Sequence, residues 1–230
     1  MNLKIREDKS YYIYAGKRIH IQVSDTQSKA RCTAGFPVIK PNGRKGMLTA
    51  GHCVYENTDP DVYTKINGTL EDIGDVTKVA VGDEEGNEYA LIELHTWEWG
   101  DPTACVPKLD RNGILQFAPI NSTYSPKQGE EVCGFGSFNG YVCGKIVEVD
   151  QTAEFTRRLN KIDTGLMNFR GGDSGGPIFT SEGLARAHPV GHEVGGGKQD
   201  GKNVSFYMPI ETTLKALGNF KITTADSCPN

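Results

Sequence analysis

Short runs of alternating or β-branched apolar residues recur along most of the chain, and they predict many β-strands. A hydrophobic period near two places apolar side chains on one face of a strand. The runs lie at residues 12–14, 18–23, 35–39, 47–49, 75–79, 89–94 and 145–149. Turn signals with Gly or Asn separate them, at residues 41–43, 67–68, 85–87, 139–140 and 200–201. This pattern is typical of antiparallel hairpins in a sandwich or barrel, so we predict an all-β fold.

One segment near the C-terminus has helical periodicity instead. Ile210, Leu214 and Leu217 are spaced at i, i+4 and i+7, and Gly218 follows as a stop signal. We therefore predict a single short helix there. The stretch 98–128 is rich in proline and polar residues, which predicts a connection between two halves, 1–118 and 119–230.

Length and charge exclude several classes of protein. The 230 residues are enough for one large β domain or two small ones with a substantial core. A formal net charge of −4 argues against the clustered basic surface that nucleic acid or an anionic membrane requires. No stretch is apolar enough to span a bilayer. We therefore expect neither a nucleic-acid partner nor membrane association.

The cysteines indicate an oxidising compartment. There are six, and none shows the C-x-x-C spacing of a zinc or redox site. Glycosylation sequons begin at Asn67, Asn121 and Asn203, although chance occurrence is the alternative. An even cysteine count together with sequons favours a secreted, disulfide-bonded glycoprotein. Its leader would lie outside this sequence, because residues 1–12 lack the apolar run of a signal peptide.

Two motifs carry chemistry, Thr-Ala-Gly-His-Cys at residues 49–53 and Gly-Asp-Ser-Gly-Gly-Pro at residues 172–177. A serine hydroxyl is a poor nucleophile at neutral pH unless a base takes its proton, and histidine titrates in the right range. Glycines beside a serine let backbone N–H groups converge on a developing oxyanion. Singly, His52 reads as a core histidine and Ser174 as a turn serine. Together they predict a nucleophile and its general base.

Both motifs, with histidine before serine, resemble the signatures of the chymotrypsin-like serine peptidases. The bacterial branch of streptogrisins and α-lytic-type proteases is the most similar, because residues 31–36 and 132–144 resemble its first-barrel strand and second-barrel hairpin. The resemblance implies two packed six-stranded antiparallel β-barrels with the active site between them. It also implies an endopeptidase that forms an acyl-enzyme on Ser174, with the N–H groups of Gly172 and Ser174 as the oxyanion hole and no cofactor. Asp173 is then a buried carboxylate, paired with an N-terminal ammonium or a local donor, and is not the triad acid.

The acid of the triad is where this chain departs from the family pattern. The family has Asp before an apolar strand, whereas here Glu88 precedes Tyr-Ala-Leu-Ile. Glu is one methylene longer than Asp, but either carboxylate can orient an imidazole. Asp83, Glu84 and Glu85 are alternatives in a turn-like run expected to face solvent. A further alternative is that Glu88 is a surface residue and the chain is a weakened homologue that acts as a binding protein.

The resemblance also implies a disulfide framework. Cys32 would pair with Cys53 beside the histidine, and Cys133 with Cys143 across the second-barrel hairpin. Six cysteines allow 15 pairings, and Cys105 and Cys228 then remain for a third bridge.

A specificity pocket is implied between three segments, one of which should pair with the substrate backbone as an added strand. Its candidate lining residues are Asn168, Arg170, His192, Glu193, Val194, Gly195, Gly196 and Ser205. Glu193 would favour Lys or Arg at the residue before the scissile bond, whereas His192 or Arg170 would favour Glu. A pocket for medium apolar side chains is the third alternative.

The acidic loop at Glu56, Asn57, Asp59 and Asp61 offers oxygen ligands for calcium. A solvated loop is the favoured interpretation, and we expect no metal. We expect a monomer whose partners are polypeptide substrates and protein protease inhibitors.

Overall fold

The computed structural model describes residues 13–23, 29–54, 60–95, 102–110, 112–153, 156–165, 169–182 and 186–229. The strands before residue 100 are β1 (Arg18–Gln22), β2 (Lys29–Thr33), β3 (Pro37–Ile39), β4 (Lys45–Thr49), β5 (Asp61–Ile66), β6 (Thr69–Val81) and β7 (Glu88–Leu94). Those after it are β8 (Cys105–Leu109), β9 (Leu115–Pro119), β10 (Glu131–Gly136), β11 (Gly140–Ala153), β12 (Thr156–Gly165), β13 (Pro177–Glu182), β14 (Arg186–Gln199), β15 (Lys202–Pro209) and β16 (Lys221–Ile222). The predicted helix is present as α1 (Ile210–Leu217), and the all-β prediction is confirmed.

The N-terminal half is an antiparallel sheet in the order β16-β3-β4-β7-β6-β5-β1-β2. The two ends of this strand order are joined through the chain, because β2 at one end continues almost directly into β3 near the other. Between them, the Gly35 N–H donates to the Leu48 carbonyl at 2.6 Å, so the segment bends from one side of the sheet to the other. If β2 and β3 are taken as one bent strand and β16 as an addition, the six strands of the expected first barrel remain. The sheet curls around fully buried apolar side chains, among them Ile19, Ile21, Met47 and Ile92.

The C-terminal half is a closed barrel in the order β10-β11-β12-β15-β14-β13. Six strands in a ring are what the resemblance implies for the second barrel. Its interior contains Val132, Ile146, Ile162, Ile178 and Tyr207, each almost fully buried. Apolar residues at alternate positions of antiparallel strands face this interior, which is why the period of two predicted the strands well.

A third apolar cluster joins the two halves. Phe36 and Leu48 of the first half pack in one cluster with Phe179 of the second half and with Ile210 of α1. The C-terminal chain then returns to the first sheet, where β16 pairs with β3. The boundary at residue 118 falls inside β9 and stays a prediction. No helix in the described ranges has the length and apolar character needed to cross a membrane.

Three disulfides cross-link these elements. Two are the pairs that the resemblance implies, and the third joins the two cysteines that then remained. Cys32–Cys53 joins β2 to the turn that carries His52. Cys133–Cys143 lies across β10 and β11, and Cys105–Cys228 ties β8 to the C-terminal tail.

Candidate active site

His52 lies on a 3₁₀ helix, Gly51–Val54, that follows β4 directly. Gly51 makes this close approach feasible, because a Cβ there would lie 2.1 Å from the Ala80 carbonyl oxygen. On the other side of His52, Cys53 is held by its disulfide to Cys32. The backbone of His52 is therefore anchored on both sides, while its imidazole remains 40% exposed.

Glu88 is the first residue of β7 and is 1% exposed. Its Oε1 accepts two hydrogen bonds from His52, one from the main-chain N–H and one from ring Nδ1, both at 2.8 Å. Because the carboxylate oxygen accepts, Nδ1 carries the proton and Nε2 is the basic nitrogen. The structure therefore brings the predicted acid into contact with the predicted base.

The alternative acids are placed elsewhere. Asp83 accepts hydrogen bonds from Glu85 N, Asn87 N and Asn87 Nδ2 at 2.8 to 3.1 Å. Burial acts to raise the pKa of Asp83, but the Asn87 bonds and further backbone bonds outweigh it and lower the pKa. Glu84 and Glu85 are exposed, as expected for the turn. Asp83 thus shapes the turn that leads into Glu88.

The turn that carries Ser174 rests directly on the first half. Ser174 O accepts from Thr33 N at 2.9 Å. Gly175 has φ +87°, and a Cβ on it would lie 2.1 Å from Thr49 Oγ1 and 2.4 Å from Thr33 O. Only glycine fits this approach. Since Thr49 lies three residues before His52, the serine and histidine turns are neighbours.

Asp173 orders the same turn from inside. It is fully buried, and its carboxylate accepts from the backbone N–H groups of Phe138, Asn139 and Arg170 at 2.8, 3.2 and 2.9 Å. These are local donors, one of the two alternatives expected for this residue. The Asp173 N–H itself donates to Arg170 O.

Within residues 172–176, two N–H groups have no acceptor in the described part of the chain. They belong to Gly172 and Ser174, the predicted oxyanion-hole donors, whereas the N–H groups of Asp173, Gly175 and Gly176 are all hydrogen-bonded. Gly172 has φ +98°, and a Cβ would lie 2.4 Å from the Phe138 ring, so glycine is required here too.

Strand β14 brackets the serine turn from the other side. Glu193 accepts from Gly175 N at 2.7 Å and donates to Gly176 O at 2.9 Å. The Glu193 side chain is buried, with Ser205 Oγ 3.5 Å from Oε1 and no partner for Oε2 among the described residues. Burial raises the pKa of Glu193 well above its ordinary value, and the nearby Asp173 and Glu88 carboxylates raise it further.

His192 makes a contact that the sequence did not indicate. Its ring is fully buried, and Nε2 lies 2.8 Å from the main-chain oxygen of Glu88, 104 residues away. Burial lowers the pKa of His192, against the opposing attraction of Glu88. No local pattern could have predicted this pairing, because it joins the two halves.

An open cleft of about 730 Å³ lies beside the predicted base and acid, and Ser174 is not among its lining residues. His52 and Glu88 line one side, and the predicted residues Val194, Gly195 and Gly196 line another. Sequence reasoning missed a further wall from β11 and β12, which includes Gln151, Thr152, Thr156 and Lys161.

The remaining candidates are distributed as follows. Ser205 is buried beside Glu193, and Arg170 is exposed next to the serine turn. Asn168 and the loop residues Glu56, Asn57 and Asp59 lie outside the described residues. Within the described ranges, no group of three or more His, Cys, Asp or Glu side chains could hold a metal ion.

Comparison with known proteins identifies the class. The Trypsin family model matches residues 14–217, so the chain belongs to the trypsin family of serine proteases. The resemblance inferred from the motifs is thereby confirmed.

Particular relatives are bacterial. The chain is 25% identical to Streptogrisin-C of Streptomyces griseus, over 86% of this chain and 40% of that protein. It is 26% identical to Serine protease 1 of Rarobacter faecitabidus, over 85% of this chain and 34% of that protein. The chain thus spans less than half the length of both relatives. Its fold is similar to that of Thermobifida fusca Protease A, with a TM-score of 0.68 and 23% identity over 93% of this chain and 100% of that one.

Proposed function

We propose that this chain is a serine endopeptidase in which His52 removes the proton of Ser174 as the serine attacks a peptide carbonyl. The observation that carries the proposal is the contact between Glu88 Oε1 and His52 Nδ1, next to the turn that bears Ser174. With Nδ1–H donated to Glu88, Nε2 is the ring nitrogen that can accept the serine proton. Family membership supports hydrolysis of peptide bonds.

The reaction then follows from the groups at hand. Attack by Ser174 Oγ gives a tetrahedral intermediate, whose oxyanion is stabilised by the N–H groups of Gly172 and Ser174. Each such donor is worth about 3–4 kcal/mol in the transition state. The His52 imidazolium, stabilised by Glu88, gives its proton to the leaving amine, and an acyl-enzyme on Ser174 remains. His52 then removes a proton from water as the water attacks the acyl carbonyl. Release of the acid product returns that proton to Ser174 Oγ.

The cleft supports polypeptides as the substrate class. Val194, Gly195 and Gly196 lie on its wall with little side-chain bulk, which suits pairing with an extended peptide backbone. Protein protease inhibitors would enter in the same extended conformation. The three disulfides support an oxidising, extracellular location, and we propose a monomeric secreted enzyme.

Labelling by a fluorophosphonate tests the nucleophile. Wild type should be labelled and should hydrolyse peptides, whereas Ser174→Ala should show neither while keeping its thermal unfolding profile. Ser122→Ala, an exposed serine in a loop of the second half, is the matched control and should behave as wild type. Peptidase activity that survives in Ser174→Ala would overturn the assignment.

The pH profile tests the base. kcat/KM should rise from acid toward neutral pH, because His52 must be neutral to accept a proton. A flat profile from about pH 5 to 9, with His52→Ala still active, would contradict this role. If wild type binds peptides but is neither labelled nor active, the binding-protein alternative replaces the proposal.

A further inference from the structure

Glu88 and Ser174 belong to different halves of the molecule, so an active site built from them needs a device that sets their distance. Glu88 opens β7 of the N-terminal sheet, and Ser174 precedes β13 of the C-terminal barrel. Two consecutive residues of β14, His192 and Glu193, contact both sides of this junction. His192 contacts the main chain of Glu88, and the backbone of Glu193 makes two hydrogen bonds with Gly175 and Gly176 of the serine turn.

The His192 bond has a defined direction. A main-chain carbonyl oxygen only accepts, so Nε2 of His192 must carry a proton. Nδ1 has no hydrogen-bond partner among the described residues, and the ring is 0% exposed. A positive charge on this ring would be buried, with no acceptor for Nδ1 among the described residues. The ring is therefore a neutral donor rather than a second cation beside Glu88.

The carboxylate of Glu88 is left to His52. His192 Nε2 is 3.9 Å from Oε2, too far for a hydrogen bond, and Oε2 has no other partner in the described ranges. Both short bonds to the carboxylate, from His52 N and Nδ1, are to Oε1. His192 thus holds the backbone of Glu88, while the Glu88 carboxylate contacts the His52 imidazole, which becomes cationic in the reaction.

We propose that His192 is a positioning residue that acts through Glu88. By holding the main chain of Glu88, it places the glutamate side chain, one methylene longer than the usual aspartate, against His52 and beside the serine turn. The proposal rests on the proposed function, since it needs His52 and Glu88 to work as base and acid. The groups that face His192 are Glu88 from β7 and His52 from the 3₁₀ helix, with Glu193 adjacent on its own strand.

Two substitutions separate positioning from packing. His192→Leu keeps most of the volume but removes the donor, whereas His192→Gln keeps an N–H at a similar reach. We expect His192→Leu to lower kcat on the order of 10²-fold with KM of a short peptide little changed, because misplacement of about 1 Å has effects of that size. The midpoint of the acid limb of kcat/KM should move to lower pH. His192→Gln should restore most of kcat and the wild-type pH profile.

His188→Leu is the matched control. His188 is on the same strand, and its Nδ1 also donates to a main-chain carbonyl, that of Ser122 at 3.0 Å. It should change neither kcat nor the pH profile. In a Glu88→Gln background, His192→Leu should cost much less than in wild type, because both changes act on one interaction.

Several results would overturn the inference. One is a His192→Leu enzyme with wild-type kcat and pH profile; another is a His192→Gln enzyme as impaired as His192→Leu. If His192→Leu does not fold, the ¹⁵N NMR signals of His192 in wild type decide. A neutral ring protonated on Nε2 at neutral pH is expected, and a ring that is cationic or protonated on Nδ1 there contradicts the proposal. Failure of wild type to react with a fluorophosphonate would instead remove the proposed function itself.

Discussion

Replacement of Glu88 by glutamine is the most informative single change, because both hydrogen bonds from His52 go to the same oxygen. The His52 main-chain N–H can only donate, so the amide oxygen of glutamine should occupy the Oε1 position. The amide nitrogen then takes the Oε2 position, where the described residues provide no hydrogen-bond partner. Glu88→Gln should therefore keep the Nδ1–H form of His52 and lose only the negative charge.

The size of the effect follows from the geometry. The attraction between a carboxylate and an imidazolium over the 2.8 Å contact is about 6 kcal/mol at an effective dielectric constant of about 20. The exposed part of the imidazole and the neutral hydrogen bond that remains reduce the difference to about 3–4 kcal/mol. Since about 1.4 kcal/mol is tenfold in rate, kcat should fall about 10²–10³-fold.

Steady-state kinetics on a chromogenic peptide, normalised by fluorophosphonate titration, measure this loss. The acid limb of kcat/KM should also move to lower pH, since the imidazolium loses its counter-charge. Glu85→Gln, an exposed acid in the preceding turn, is the matched control and should be silent. A loss of about 10⁴-fold would show that the amide has turned its N–H toward the ring, as when the tautomer is wrong. An active Glu88→Gln enzyme together with an inactive Asp83→Asn enzyme would place the acid in the turn.

Shortening the same side chain tests whether the backbone is set for glutamate. The main chain of Glu88 is fixed by pairing with Val81 and by the bond from His192. Aspartate at this position would pull its carboxylate about one bond length away from Nδ1, so Glu88→Asp should lower kcat, by about 10- to 100-fold. Activity equal to or above wild type would show that the usual aspartate geometry is still available.

Three further outcomes are expected. The raised pKa of Glu193 means that the folded state holds this proton more tightly than the unfolded state, so the stabilisation is fully present below the unfolded pKa, near 4.5, and is lost as pH rises through the folded pKa. Glu193→Gln should therefore raise the denaturation midpoint more at about pH 8 than at about pH 4.5. An equal increase at both pH values would contradict the burial argument. Peptide-library cleavage by the same variant shows whether a preference for Lys or Arg before the scissile bond depends on this carboxylate. Gly175→Ala should strongly reduce both labelling and stability, because its Cβ would meet Thr49 Oγ1 and displace the serine turn; near-normal labelling would refute that. Joint replacement of Cys105 and Cys228 by Ser removes a disulfide between residues 123 positions apart in sequence. The free energy of unfolding, measured by urea titration, should fall by up to about 5 kcal/mol.

The elements that the sequence predicted best are those with local signals. Helix α1 has the predicted bounds because Ile210, Leu214 and Leu217 share one face and Gly218 ends it. The turns that carry His52 and Ser174 were recognisable because both motifs contain glycines, at which the structure leaves no room for a Cβ. In each case the sequence signal lies within a few residues of chain, although the atoms that exclude a Cβ at the glycines belong to distant residues.

The elements that were missed depend on distant partners. The stretch 98–128 was predicted as a connection, yet it contains the β8–β9 hairpin, because proline and polar residues interrupt the period of two. Strand β16 has two residues and exists only because β3 offers an edge. The contact between His192 and Glu88 has no sequence signature at all, since neither residue indicates which strand will lie opposite the other.

Three buried carboxylates meet at the junction of the two halves, and they are compensated in different ways. Asp173 accepts hydrogen bonds from three backbone N–H groups and contacts no cation among the described residues. Glu193 has no such donors and is held toward its neutral form, which removes a charge that would compete for the imidazolium. Glu88 is the one carboxylate whose short contacts are both with His52. Of the three carboxylates, Glu88 is thus the one that directly contacts the His52 ring. For this reason, substitutions at the two glutamates should affect different properties. Changes at Glu88 should mainly lower kcat, whereas changes at Glu193 should mainly alter the pH dependence of stability.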